Sequence, residues 1–212
     1  MTDYRSVFRP GLFEGRVVIV TGGGSGIGRC TAHELKSLGA RLALVGRTQS
    51  KLDQVKEELG DPDTFTFSAD LRQEDQVKAA IGGVMEWAGR IDGLVNNAGG
   101  QFPAPLRDIS LNGWNAVVAN NMTATFLVSK EVYLRWMEQH GGAIVNVGAD
   151  FELGNPGMGT MVPRAPARPT SPTPLRSNGR IRACASIPCC RASSPRRGST
   201  VIPTARTTRC AA

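Results

Sequence analysis

The chain has 212 residues, 41% of them hydrophobic, with a formal net charge of +7 and five Cys. That length suits one α/β domain, alone or with a tail, at roughly 100–200 residues per domain. No apolar run reaches the ~20 residues of a membrane helix, which excludes a helical integral membrane protein. Residues 1–16 lack the apolar stretch of a secretory leader, so a cytoplasmic protein is expected.

The charge is unevenly spread. Residues 1–159 hold 15 Lys and Arg against all 18 Asp and Glu, a balance of −3. Residues 160–212 hold ten Arg, no Lys, no acid and no aromatic residue, with eight of the thirteen Pro and four of the five Cys. The net positive charge therefore belongs to the tail and says nothing about partners of the remainder.

Residues 16–21 form a short apolar run between Gly15 and Gly22, the pattern of a parallel strand buried on both faces. Helical spacing follows over 27–38, with Ile27, Ala32, Leu35 and Leu38 apolar and Gly39 as the stop. A second strand over 41–45 leads into Gly46-Arg47-Thr48. Residues 50–59 make a charged helix with Leu52, Val55 and Leu59 on one face. Residues 64–68 alternate as a third strand that stops at Ala69-Asp70-Leu71. Residues 74–87 are helical, and 93–95 enter a fourth strand ending in Asn96-Asn97-Ala98-Gly99. A long helical stretch over 110–140 has Asn121 as its candidate break, and 142–147 make a fifth strand. Strands alternating with helices predict right-handed βαβ units and a Rossmann-type, doubly wound parallel sheet, with about five strands in place. Ligands of such sheets bind at the carboxyl ends of the strands, where each of these polar clusters stands.

The segment from Thr21 to Gly28, TGGGSGIG, joins the first strand to the first helix. Glycine there permits a tight turn and lets backbone approach a pyrophosphate, while the helix N-terminus supplies amide donors. Gly22, Gly26 and Gly28 are spaced G-x-x-x-G-x-G; the alternative is a plain glycine-rich turn. Together with Asp70-Leu71 and Asn96-Asn97-Ala98-Gly99, this segment resembles the short-chain dehydrogenase/reductase family over roughly residues 12–158. The resemblance implies a coenzyme site at Thr21, Gly22, Ser25, Gly26, Ile27 and Gly28. Asp70, with Leu71 beside it, would hydrogen-bond the adenine, and Asn97, Ala98 and Gly99 would line the floor under its ribose. Asn121 resembles the family's helix asparagine, which supports a water in a proton relay; otherwise it is a solvated or kink-forming residue.

Coenzyme choice follows from charge. A site for NAD places an acid after the second strand to bind both ribose hydroxyls. Here Arg47 and Thr48 stand there instead, a guanidinium and a hydroxyl that suit a 2′-phosphate, so NADP(H) is favoured over NAD(H). The alternative is that Arg47 is a surface charge.

Gly148-Ala149-Asp150 stands where most members of the family carry a catalytic Ser. The string Val145-Asn146-Val147-Gly148-Ala149-Asp150, followed by Gly154-Asn155-Pro156-Gly157-Met158, is most similar to the enoyl- and dienoyl-CoA reductase branch, including peroxisomal trans-2-enoyl-CoA reductases. That resemblance implies hydride transfer to a carbonyl or to the β-carbon of an unsaturated acyl-CoA. The family's Tyr-x-x-x-Lys motif does not follow: the last Tyr is Tyr133 and the last Lys is Lys130. Little or no turnover is expected of this chain, and a non-catalytic dinucleotide-binding module is the alternative.

Residues 160–212 cannot bury enough apolar surface to offset ordering entropy, so a low-order tail is expected. Excess Arg, Pro, Ser, Thr, Ala and Cys without Lys or acid is what a GC-rich gene yields out of frame. New codons can be built from the third base of one codon and the first two of the next. Val162 after Met161 must then become Gly. Residues 162–167 permit GAARAG, 170–179 permit NLTNTLAVEW, and 183–192 permit GVRVNTVLPG, strings similar to the family's later segments. A one-base shift near Gly159 is the expectation. The competing view, an Arg-rich tail binding nucleic acid, lacks aromatic residues for base stacking. No specific nucleic-acid partner and no membrane partner is expected. Cys184, Cys189, Cys190 and Cys210 lack C-x-x-C spacing and His33 and His140 lie elsewhere, so no metal site is expected. Cys210, third from the end, does not fit prenylation. Cys30, in the first helix, is expected to be a small buried residue. The intact enzyme is expected to be a homo-oligomer acting on a small-molecule substrate.

Overall fold

A computed structural model describes residues 6–102, 104–149 and 181–189. Six strands form one parallel sheet in the order β3-β2-β1-β4-β5-β6. They are β1 (Val17–Thr21), β2 (Arg41–Gly46), β3 (Phe65–Ser68), β4 (Gly93–Asn96), β5 (Gly142–Ala149) and β6 (Ile181–Cys189). Helices α1 (Gly26–Ser37), α2 (Gln49–Leu59) and α3 (Glu74–Ala88) make the first three crossovers. The chain runs outward from β1 to β3, then returns through α3 to β4 on the other side of β1. The strand order reverses there, leaving a crevice between the carboxyl ends of β1 and β4.

The unbroken apolar run of β1 has its cause in layering. Val17 and Ile19 pack with Val77, Ala80, Ile81 and Val84 of α3, while Val18 and Val20 pack with Ala32 of α1 and Leu52 and Val55 of α2. All five β1 residues are buried, so neither face admits a polar side chain without a partner. On α2, Leu52 and Val55 are buried as the sequence predicts, and Leu59 packs against the same cluster. On α1 the buried positions are Gly28 and Ala32. Cys30 lies two residues from each, about 200° round the helix, and is exposed, which corrects the expected burial.

Residues 111–140 are helical throughout, with no interruption at Asn121. The stretch comprises α4 (Leu111–Val118), a π-helical turn (Ala119–Thr123), α5 (Ala124–Val132), a second π-helical turn (Tyr133–Met137) and a terminal turn α6 (Glu138–His140). The expected break is thus one inserted residue in the hydrogen-bond ladder, not a loss of helix. Ser110 caps α4 by accepting from the Gly113 N–H at 3.1 Å.

The sheet has one strand more than the five read from the sequence, and it falls in the Arg/Pro-rich tail. β6 runs parallel to β5, with Val145 opposite Ala185 and Gly148 opposite Pro188. The outer edge of β5 offers unpaired N–H and C=O groups, and the outermost position of a sheet tolerates a proline that cannot donate onward. The remaining tail residues, Asp150 and the Gly154–Met158 string (154–158) lie outside the described residues.

Candidate functional site

The predicted coenzyme residues gather at the carboxyl ends of β1 to β4. Thr21, at the end of β1, is buried, and its hydroxyl is the hub of the β1–β4 junction. It donates to the Val95 carbonyl at 3.2 Å and accepts from the N–H groups of Asn97 and Ala98 at 2.9 and 3.0 Å. The Asn97 amide returns the tie by donating to the carbonyls of Thr21 at 3.0 Å and Gly22 at 3.3 Å. The glycine turn and the Asn97-Ala98-Gly99 segment are therefore one hydrogen-bonded unit.

Two glycines of the turn are required by space. A Cβ on Gly28 would lie 2.2 Å from the Gly22 carbonyl oxygen and 2.5 Å from the Asn97 amide nitrogen. Gly22 has φ +65°, and a Cβ there would press on Ala98 at 3.0 Å. Gly26 has φ +53° with open space beyond its Cα. Ser25 precedes α1 in extended conformation without capping it, and Ile27 is 43% exposed. This bare backbone at the N-terminus of a 12-residue helix fits a dinucleotide pyrophosphate.

The residues expected at the adenosine end lie at the ends of β2 and β3. Gly46 pairs with Ser68, whose hydroxyl donates to the Arg47 carbonyl at 3.1 Å, so Arg47 and Asp70 emerge side by side. Arg47 and Thr48 are exposed, and the Thr48 hydroxyl makes no capping bond to α2. Asp70 is gripped by Arg72, whose Nε lies 2.8 and 3.1 Å from Oδ1 and Oδ2 and whose Nη2 lies 2.6 Å from Oδ2. These bonds hold the Asp70 carboxyl at about 2, with burial opposing and the charge of Arg47 assisting. Leu71 is 6% exposed and its side chain belongs to the core.

Asn121 sits in the first π-helical turn, 8% exposed. Its amide nitrogen donates to the Gly100 and Val117 carbonyls, each at 2.8 Å, and its Oδ1 accepts from the Gly100 N–H at 3.1 Å. The side chain thus clamps the loop after β4 onto the helix, with one lone pair of Oδ1 left. Gly148 and Ala149 are the last two positions of β5.

Sequence reasoning missed three partners. Arg72 and Gln76 fix Asp70, the latter accepting from the Asp70 N–H at 2.7 Å. Asn96, buried, donates at 2.9 Å to both Ser129 Oγ and Asn146 Oδ1, tying β4 to β5 and α5. The Asp-x-Arg spacing and the Asn in each of β4 and β5, paired in register as Asn96 and Asn146, were the signals available. Among the described residues no helix is long and apolar enough to cross a membrane.

The comparisons agree with this geometry. The short chain dehydrogenase family model matches residues 16–159. A peroxisomal 2,4-dienoyl-CoA reductase of Danio rerio is 34% identical over 152 residues, covering 70% of this chain and 51% of that protein. Glucose 1-dehydrogenase of Gluconobacter oxydans is 39% identical over 141 residues, covering 63% and 52%. The chain spans about half the length of these curated relatives. The solved structure of the citronellol catabolism dehydrogenase AtuB of Pseudomonas aeruginosa is 47% identical, with a TM-score of 0.69 over 74% of this chain and 65% of that one. The chain belongs to the short-chain dehydrogenase family of oxidoreductases.

Proposed function

We propose that this chain carries the coenzyme half of an NADP(H)-dependent reductase acting on α,β-unsaturated acyl-CoA or a related carbonyl compound. The observation that carries NADP(H) over NAD(H) is the end of β2. Exposed Arg47 and the uncapped Thr48 hydroxyl stand there with no acid in the first turn of α2. A 2′-phosphate meets a cation and a hydroxyl in that place, and Asp70 is already neutralised by Arg72. The turn from Gly22 to Gly28, with Ser25, Gly26 and Ile27, would hold the pyrophosphate, and Asp70-Leu71 and Asn97-Ala98-Gly99 would hold the adenosine. NADPH, when bound, would supply the hydride for reduction of the double bond of an enoyl thioester. The chain's own contribution is orientation: Asn97 and Thr21 fix the floor, and Asn121 holds the loop beneath it. Likeness to a dienoyl-CoA reductase supports the acyl-CoA substrate.

The general acid is missing, because no Tyr follows Tyr133 and no Lys follows Lys130. The chain as written binds coenzyme and turns over little, which makes it a dinucleotide-binding module in practice. A one-base shift near Gly159 accounts for the loss. The family match stops at residue 159, shortly after the last acid, Glu152, and β6 overlaps residues 183–189 of the stretch whose shifted codons permit GVRVNTVLPG. The intact enzyme acts in the cytoplasm as a homo-oligomer. Leu111, Trp114, Met122 and Phe126, exposed along one helical stretch, support a partner surface there.

Two measurements test this. Fluorescence titration should show NADPH bound more tightly than NADH; equal affinities would remove the NADP(H) assignment. The codons from 160 onward, read with one base inserted near codon 159, should spell GAARAG, NLTNTLAVEW and GVRVNTVLPG. Any other reading of those codons sinks the frame shift.

A further inference from the structure

Asp70 raises an electrostatic problem for a coenzyme that carries a 2′-phosphate. Its carboxylate emerges beside Arg47, because Gly46 and Ser68 are paired at the ends of β2 and β3. An unpaired carboxylate there would attract Arg47 to itself and repel the phosphate. Arg72 removes both difficulties. Its guanidinium approaches Asp70 along both oxygens, with Nε 2.8 Å from Oδ1 and Nη2 2.6 Å from Oδ2. The Arg72 backbone N–H donates to Oδ1 at 3.1 Å as well. A carboxylate has about four acceptor sites. Oδ1 accepts from the backbone N–H and from Nε, and Oδ2 accepts from Nη2 at 2.6 Å, with the Nε proton shared to it at a longer 3.1 Å. Because Nε lies nearer to Oδ1 than to Oδ2, the second lone pair of Oδ2 is the last one left largely open. Asp70 is anchored from the other side by its own N–H, which donates to Gln76 Oε1 at 2.7 Å.

We propose that Arg72 is a coenzyme-positioning residue: it aims the last lone pair of Asp70 at the adenine amino group and keeps Asp70 from capturing Arg47. The proposal rests on the NADP(H) assignment above for its second half only. Aiming the lone pair affects both coenzymes, because both carry the adenine. Freeing Arg47 affects only the one with a 2′-phosphate. Charge and geometry are therefore separable. Lys at position 72 keeps the charge but cannot form the planar fork, and Gln keeps neither.

The test is a fluorescence titration of the full-length chain and its variants with NADPH and with NADH. Arg72→Gln should weaken NADPH by about tenfold and NADH by about threefold, lowering the ratio of the two affinities. Arg72→Lys should weaken both coenzymes alike and leave the ratio unchanged. The double variant Asp70→Asn with Arg72→Gln should recover the parent ratio, because a neutral Asn no longer draws Arg47, while both affinities stay low. Arg72 is exposed, so circular dichroism should show the same fold throughout. Parent affinity for both coenzymes in Arg72→Gln would overturn the proposal, as would a ratio that Asp70→Asn fails to restore. A parent chain that binds both coenzymes equally would instead strike at the NADP(H) assignment. The loss of both affinities in Arg72→Gln would still report the lone-pair half.

Discussion

On one side of the β1–β4 crevice, β1, β2 and β3 present glycine backbone and cations; on the other, β4 and β5 present amides. The first side is complete within residues 16–100. Its turn is closed by Thr21 and Asn97, and its charges are settled by Arg72. The second side is tied internally by Asn96, Ser129, Asn146 and Asn121, while no Tyr follows Tyr133 and no Lys follows Lys130 in the chain. A doubly wound sheet separates these tasks along the chain. If coenzyme binding is set by the first strand ends, the proposed change near residue 159 should leave it standing.

The largest expected effect sharpens that division. Restoring the frame by one base near codon 159 should raise NADPH-dependent reduction of a 2-enoyl-CoA by about 10²–10⁴-fold, the usual worth of a general acid. Steady-state assay of the two proteins side by side checks it. If the unrepaired chain already reduces the substrate as fast, the second side does not need the Tyr and Lys.

Next comes an attack on the first side alone. Gly28→Ala forces a methyl to within 2.2 Å of the Gly22 carbonyl, so the turn must open. About 1–3 kcal/mol of stability should be lost by urea denaturation, with NADPH binding falling below detection in the same titration. A variant that melts earlier yet binds NADPH normally would show that the turn does not cradle the coenzyme.

Asn96→Ala attacks the second side. It removes two hydrogen bonds of 2.9 Å that hold β4 to β5 and α5. A loss of about 1–2 kcal/mol is expected, with NADPH affinity nearly unchanged, because Asn97 and Thr21 do not depend on that tie. Coupled loss of coenzyme affinity would break the separation of the two sides.

How much of this was legible in the sequence depended on how local each feature is. The strand–turn–helix from Val17 to Ser37 declares itself through its own period and glycines, and the requirement for Gly28 is sequence chemistry made visible. The exposure of Arg47 and Thr48 at the end of β2 was legible because the strand stops at Gly46. Cys30 was misplaced because a 12-residue helix with weak apolar spacing fixes its facing only once packed. Asn121 showed as a weak point in a helix, but the π-helical turn that absorbs it depends on Gly100, distant in sequence. The Arg72 fork was invisible, since it rests on one rotamer, although both residues lie within a three-residue segment. β6 was hidden because its segment has neither strict alternation nor a long apolar run; pairing with the open edge of β5 supplies what its own sequence does not.

The smallest effect expected concerns pH and again separates the sides. Asp70 has a folded value of about 2 against an ordinary value near 3.8, lowered first by its hydrogen bond from Arg72. A group with a lowered folded value stabilises the protein when pH lies above its unfolded value, and that contribution is lost as pH falls towards the folded one. Between about pH 4 and 2, then, the Asp70–Arg72 pair should give up its share of stability. With Arg72 39% exposed, solvent screening limits that share to about 1 kcal/mol or less. Urea midpoints measured from pH 5 down to pH 2.5 in the parent and in Asp70→Asn should converge as the pH falls. Curves that stay parallel would mean that Arg72 does not hold Asp70 ionised in solution. The electrostatic half of the first side would then have to be carried by Arg47 alone.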